Sequence, residues 1–241
     1  MVPDSPNHLI ASIHAAFERD PRMNVHACPV ELRLVDGVLQ LSGRMDTIAA
    51  KRLAGQAARR IAGSELRVDD GLRVAAEATE DAALRDEIVN ALTRESAFRD
   101  YTLVTLVGDR VETVHDAGAD AYSINIDIHD GTVRLSGQVG SLSHQRLAEV
   151  LTWWTSGCES VENRLEISPP EQDNDDEITD AVCMVLEKDP LVHPGQLHVT
   201  TANAVVTLEG SVASDEERRL AVLDTWYVPG VVEVLDQIGV R

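Results

Sequence analysis

The sequence predicts an α/β protein, in the α+β sense, of three tandem αββαβ units, each a small three-stranded mixed sheet with two helices on one face. Two observations carry that expectation. The segments VDGVLQLSGRM (35–45), HDGTVRLSGQV (129–139) and ANAVVTLEGSV (202–212) repeat one pattern: a turn, alternating apolar residues, then Gly43, Gly137 or Gly210. A second pattern, V-x-[D/N]-x-[L/I]-x-[V/I], begins at Val68, Val161 and Val234, which lie 25, 24 and 24 residues beyond those glycines. The units are placed at 4–75, 80–168 and 175–241.

The first helix of each unit follows from apolar residues at helical spacing: Leu9/Ile13/Ala16/Phe17, Leu84/Ile88/Ala91/Leu92 and Ile178/Val182/Val185/Leu186. Asp20-Pro21 and Asp189-Pro190 close the first and third of these, because proline lacks an N–H and disfavours helix in the residue before it. Strands come next. Ile124, Ile126 and Ile128 alternate with Asn125, Asp127 and His129, and Val133 and Leu135 alternate with Arg134 and Ser136. Asp36-Gly37 and Asp130-Gly131 suit the positive φ angles of a tight hairpin, whereas Asn203-Ala204 departs from that chemistry and predicts another turn type. The second helix follows the glycine, and Ser214 with Glu217 is a capping-box signature for its start in the third copy. A crossover helix between the second and third strands requires them to run parallel, with right-handed connectivity.

Residues 75–80 link the first two units and SPPEQDNDDE (168–177) the last two. Paired prolines and acidic residues predict an extended, solvated second linker and some mobility of the third copy. The second copy also carries an insertion, 100–121, read as a hairpin with Tyr101 to Val107 and Arg110 to His115 flanking Gly108-Asp109. It serves either a function private to this protein or as a lid that blunts one sheet edge.

Composition excludes several function classes. With 41 acidic against 21 basic side chains the net charge is −20, which argues against nucleic acid as a partner and against a simple electrostatic hold on an anionic membrane. Charge is uneven, however: residues 1–76 carry 10 basic and 9 acidic side chains, 77–168 carry 7 and 17, and 169–241 carry 4 and 15. Hydrophobic residues make up 44% of the chain, enough to argue for a packed core over disorder. Cys28, Cys158 and Cys183 are too scattered for a disulfide framework. The start resembles no secretory signal and no window suits a transmembrane helix, so the expected compartment is cytoplasmic, or periplasmic if the true start differs. No GxSxG, HExxH, P-loop or paired CxxC is present, so no enzyme and no cofactor is expected. His26-x-Cys28 and His193-x4-His198 lack the second pair that a closed zinc site needs, so no metal is expected either.

Together these segments resemble the BON domain, the bacterial osmotic-shock and nodulation module. The resemblance runs through Asp176-Glu177-Ile178, Asp189-Pro190, Val206 to Gly210 and Pro229-Gly230-Val231 in the third copy. It runs through Gly131 to Gly137 and Val161 to Leu165 in the second, and through Asp20-Pro21 and Gly37 to Gly43 in the first. The resemblance implies the same five-element fold and a non-catalytic role, attaching to membranes or phospholipids or mediating protein contacts. Expected partners are therefore a membrane lipid or a partner protein, with homo-oligomer formation open. The leading function is a binding module associated with phospholipid or membrane, or with an envelope-stress interaction; the alternatives are a soluble protein-interaction adaptor or scaffold and an ion or small-ligand sensor.

Sixteen and seventeen residues after the motif glycine stand Arg59-Arg60, Trp153-Trp154 and Trp226-Tyr227. These aromatics are candidate binding residues, set against packing between copies. Lys51, Arg52, Arg59 and Arg60 put four cations on one helix of the first copy, a candidate surface for an anionic group. Gly43, Gly137 and Gly210 are read as structural, and Asp70, Asn163 and Asp236, which share parity with the apolar residues of the last strand, as clamps on a neighbouring loop backbone, set against a floor for a bound polar group.

Overall fold

In the computed structural model, residues 6–64, 66–108 and 110–241 are described. Residues 4 and 5, at the expected start of the first unit, and Asp109 of the inserted turn lie outside them. The chain divides into two compact units, Met1–Ala75 and Ala76–Arg241.

The first unit runs α1 (Pro6–Arg19), β1 (Val30–Val35), β2 (Val38–Met45), α2 (Ile48–Ala62) and β3 (Arg67–Val74). The second opens with α3 (Asp81–Arg94), β4 (Tyr101–Val107), β5 (Arg110–His115), β6 (Tyr122–His129), β7 (Thr132–Val139), α4 (Leu142–Trp153) and β8 (Ser160–Ile167). It ends with α5 (Asp175–Lys188), β9 (Leu197–Ala202), β10 (Val205–Val212), α6 (Asp215–Tyr227) and β11 (Glu233–Val240). The three repeats therefore have the helix–strand–strand–helix–strand order that periodicity predicts. In each, the hairpin is antiparallel and the strand after the crossover helix returns parallel, as in Val38↔Arg67, Thr132↔Ser160 and Val205↔Glu233. Burial of one helical stripe drives the packing: Leu9, Ile13 and Phe17 on α1, Leu84, Ile88 and Leu92 on α3, and Ile178, Val182, Val185 and Leu186 on α5 are all buried.

One sheet is larger than the pattern predicts. The insertion forms the expected hairpin, but β4 also pairs parallel to β6, so the sheet has five strands in the order β5-β4-β6-β7-β8. Tyr101, Leu103 and Thr105 of β4 are buried on one face, which fixes its register.

The hairpin turns are also more uniform than their residues suggest. Asp36-Gly37 (φ 49° and 76°), Asp130-Gly131 (47° and 69°) and Asn203-Ala204 (53° and 60°) all hold two successive left-handed residues. The expectation of a different turn in the third repeat is thus wrong. Twist matching between the strands favours this geometry strongly enough to force an alanine into it. Side-chain carboxylates then hold two of the turns. Asp81 accepts from the amides of Asp130 and Gly131, both at 2.9 Å, and Asp175 accepts from Asn203 and Ala204 at 2.7 and 2.8 Å. The equivalent position in the first repeat is Pro6, which has no carboxylate. Since a left-handed alanine costs roughly 1–2 kcal/mol, Ala204→Gly is expected to stabilise the protein by about 1 kcal/mol. An unchanged or lower midpoint in urea denaturation would show that the alanine is not strained.

Gly43, Gly137 and Gly210 have φ of 140°, 116° and 126°, and a side chain at any of them would run into the carbonyl of Pro29, Ser123 or Gln196 respectively. Close approach of the first strand's entry is why glycine stands there.

Candidate functional site

The second helix of each repeat and the strand after it bring the singled-out residues together. Thr47, Ser141 and Ser214 cap α2, α4 and α6 by accepting from Ala50, His144 and Glu217. In the third repeat the capping box is modified. The Glu217 carboxylate accepts from the amides of Ala213 (3.0 Å) and His193 (2.9 Å). Those two bonds, with the His193 ring at 3.0 Å, hold it below its ordinary pKa. Glu217 lines a cleft of about 410 Å³ with His193, Gln196, Ser211 and Arg241. Its oxygens are spent on donors of the fold, so it stands as a brace there, not as an acid or base.

The strand-borne polar residues bond within their own strand and to the preceding helix, not to the expected neighbouring loop backbone. Asp70, Asn163 and Asp236 each accept from the amide two residues on, at 3.3, 3.1 and 3.0 Å. Each also reaches the preceding helix: Asp70 to Arg59 at 3.2 Å, Asn163 to the Gln145 carbonyl at 3.0 Å and Glu149 at 3.1 Å, and Asp236 to Arg218 at 2.8 Å. They tie strand to helix within a repeat.

The paired positions at the end of the second helix divide into two environments. Trp153 and Trp226 are only 6% and 4% exposed, and Trp154 and Tyr227 are partly covered. Trp153 of the second repeat lies against Tyr227 of the third, with ring centroids 6.2 Å apart. Arg59 and Arg60, at the same place in the first repeat, are exposed. On that helix Arg59 and Lys51 flank Asp70, at 3.2 and 3.9 Å, while Arg52 is partly covered.

Around the Trp153–Tyr227 contact the second and third repeats are joined by charge that the sequence reading missed. Arg146, 2% exposed, donates to the Pro229 carbonyl (3.0 Å), the Glu177 carbonyl (3.3 Å) and the Asp173 carboxylate (2.6 Å). Lys188 bonds Glu95 at 2.7 Å; burial raises that carboxyl's pKa, but Lys188 and the Ala97 amide outweigh it and leave the value lowered. Glu171 accepts from the Leu142 amide at 2.7 Å. The expected mobility of the third copy is therefore corrected: the 168–177 linker is exposed, yet Glu171 and Asp173 fasten it to α4. A signal was present, since Leu142, Arg146, Val150 and Trp153 share one helical stripe and only Arg146 is charged.

Beside this seam sits Asp224, 3% exposed, its Oδ2 buried without a hydrogen-bond partner. Burial first, and the adjoining Asp189 carboxyl second, push its pKa up to about 8. The Trp154 indole N–H lies beside it short of hydrogen-bond geometry and draws the value down only slightly.

Metal chemistry finds little purchase among the described residues. Asp81, His129 and Asp130 bring ligand-type atoms within 4.8 Å of one another, but the Asp81 oxygens already hold the hairpin amides. Burial pushes the Cys158 thiol up to about 12, so its thiolate is not on hand as nucleophile or ligand. No helix among the described residues is long and apolar enough to cross a membrane.

The family model described as "BON domain" matches three times, over residues 7–76, 104–169 and 174–241. No curated protein matches the chain. Among solved structures, two of CdsD, described as a structural protein of the type III secretion system of Chlamydia trachomatis, are each 16% identical with a TM-score of 0.25. The first, a C-terminal domain, matches over 99% of both chains; the second covers 97% of this chain and 92% of that one. At that score the likeness carries no argument.

Proposed function

The chain belongs to the BON domain family, a family of non-catalytic binding domains, and from that premise we propose that its first repeat contacts phospholipid headgroups while the second and third form a separate acidic body. One observation carries this reading. Of the four aromatics at the shared helix-end position, Trp153 and Trp226 are buried, Trp153 lies against Tyr227 of the next repeat and Trp154 beside Asp224, whereas Arg59 and Arg60 stand exposed at that position in repeat one. A buried indole offers no ring to a bilayer; an exposed guanidinium offers a planar fork to a phosphate. Charge distribution supports the same division, since the first repeat alone is near neutral and the others would be repelled by an anionic leaflet.

Co-sedimentation with vesicles of phosphatidylcholine, alone or mixed with phosphatidylglycerol, tests this at low and high salt. Binding is expected to the mixed vesicles only, weakened by salt. The double variant Arg52→Glu/Arg60→Glu is expected to bind at least about tenfold more weakly, as basic residues near such a surface contribute about 1 kcal/mol each. Salt-insensitive binding to phosphatidylcholine alone would point to aromatic insertion, and no binding to either would leave a protein-contact role in its place.

A further inference from the structure

The outer edge of the five-stranded sheet differs from every other strand among the described residues. Each β-strand except β5 carries at least one buried side chain; β5 carries none, with all positions exposed but His115, which is partly covered. Val111 is 70% exposed, and Val107 and Val114 beside it are also exposed. The strand is nonetheless well held. It pairs antiparallel with β4 from Val107↔Arg110 to Val104↔Thr113, and beyond a register shift the His115 ring reaches the Arg99 carbonyl at 3.1 Å. A firmly placed strand with one unpaired edge is a template for another strand.

We propose that β5 is a self-association edge: two copies of this chain pair antiparallel through it, joining two five-stranded sheets into one of ten. The sequence of the strand selects the occupant. Arg110, Val111 and Glu112 form a self-complementary triplet. Antiparallel pairing about a two-fold axis through Val111 sets Val111 opposite Val111 and Arg110 opposite Glu112 of the other copy, twice per dimer. Neighbouring registers lose this match. An axis through Glu112 opposes two carboxylates, and one through Thr113 sets Glu112 against Val114 and Val111 against His115. Backbone polarity agrees with the favoured register. Counting from the Val107↔Arg110 pair that closes the hairpin, Val111 is the first β5 residue whose N–H and C=O point away from β4. The same alternation recurs on other edges, as in Glu31-Leu32-Arg33 of β1 and Glu162-Asn163-Arg164 of β8, but in those two the charges bond each other within the strand at 2.9 and 2.7 Å. Among the described residues only the triplet of β5 has every member exposed.

A single strand pair buries little surface, so the dimer is of the weak, concentration-dependent kind. Sedimentation velocity on the full chain, 26.2 kDa as a monomer, from about 10 µM to about 500 µM tests it. The wild type is expected to shift toward dimer with concentration. Arg110→Glu and Glu112→Arg, each alone, place like charges opposite each other and are expected to weaken the dimer about tenfold or more. An equimolar mixture of the two variants restores both ion pairs and is expected to dimerise as a heterodimer. That rescue would not follow if either change had merely damaged the hairpin. A wild type that stays monomeric throughout, a dimer indifferent to both changes, or a mixture that stays monomeric overturns the proposal. Vesicle binding plays no part in these readouts, so the two readings fail separately.

Discussion

Arg146→Ala is expected to uncouple the second repeat from the third. The guanidinium is buried and ties three points of the third repeat and its linker, the carbonyls of Pro229 and Glu177 and the carboxylate of Asp173, to α4. Its removal leaves two carbonyls without their donor and a hole against Gly230, which packs 3.2 Å from the guanidinium by the position a side chain would take there. Breaking a buried charged contact of this kind costs about 3–5 kcal/mol, with the lower figure apt here because Asp173 is exposed and can be solvated. Guanidinium denaturation followed by circular dichroism should change from one transition for residues 76–241 to two. Arg146→Lys keeps the charge but not the fork and is expected to fall between. A single transition within about 0.5 kcal/mol of wild type, the scale of an ordinary surface change, would show that the seam does not depend on this residue.

Asp224→Asn is expected to stabilise the protein increasingly as pH rises toward 8. In the folded chain burial and Asp189 hold the Asp224 carboxyl protonated up to about pH 8, while in the unfolded chain it titrates near its ordinary 3.8. Between those values the folded state binds a proton that the unfolded state has released. Stability therefore falls as pH rises, by at most about 1.4 kcal/mol per unit. Other groups act elsewhere. Asp20, Glu95, Glu216 and Glu217 are lowered, so their contributions are complete above their ordinary values of 3.8 and 4.5. Burial lowers His144 from 6.5, which costs stability only on the acid side of that value. The window from pH 6.5 to 8 thus isolates Asp224. Melting temperatures across it should fall for wild type and stay nearly level for Asp224→Asn; parallel curves would sink the assignment.

Repetition made the fold legible. Each strand alternation and each helical stripe is weak alone, but three copies in one order leave little freedom, and local period sets which face is buried. The inserted hairpin was legible for the same local reason. Its union with β6 was not, because a parallel pairing across intervening chain depends on tertiary packing and leaves no short-range mark. Asn203-Ala204 misled because turn residues report what a turn tolerates, while strand twist and the Asp175 carboxylate decide what it adopts. Arg146 and Asp224 were passed over since side chains of their type usually face water. The aromatic pairs were picked out by recurrence, yet recurrence cannot tell a ring that meets a ligand from one that meets the next repeat.

The placing of the aromatics has an optical consequence. All three indoles stand at the ends of α4 and α6, helices that pack together, and residues 1–75 contain neither Trp nor Tyr. Indole emission from this protein therefore comes from one spot, and brightens or shifts only with events there. The first repeat is dark at those wavelengths. Whatever it touches or however it unfolds, an untouched emission spectrum beside a changed dichroism spectrum would name it as the part that moved.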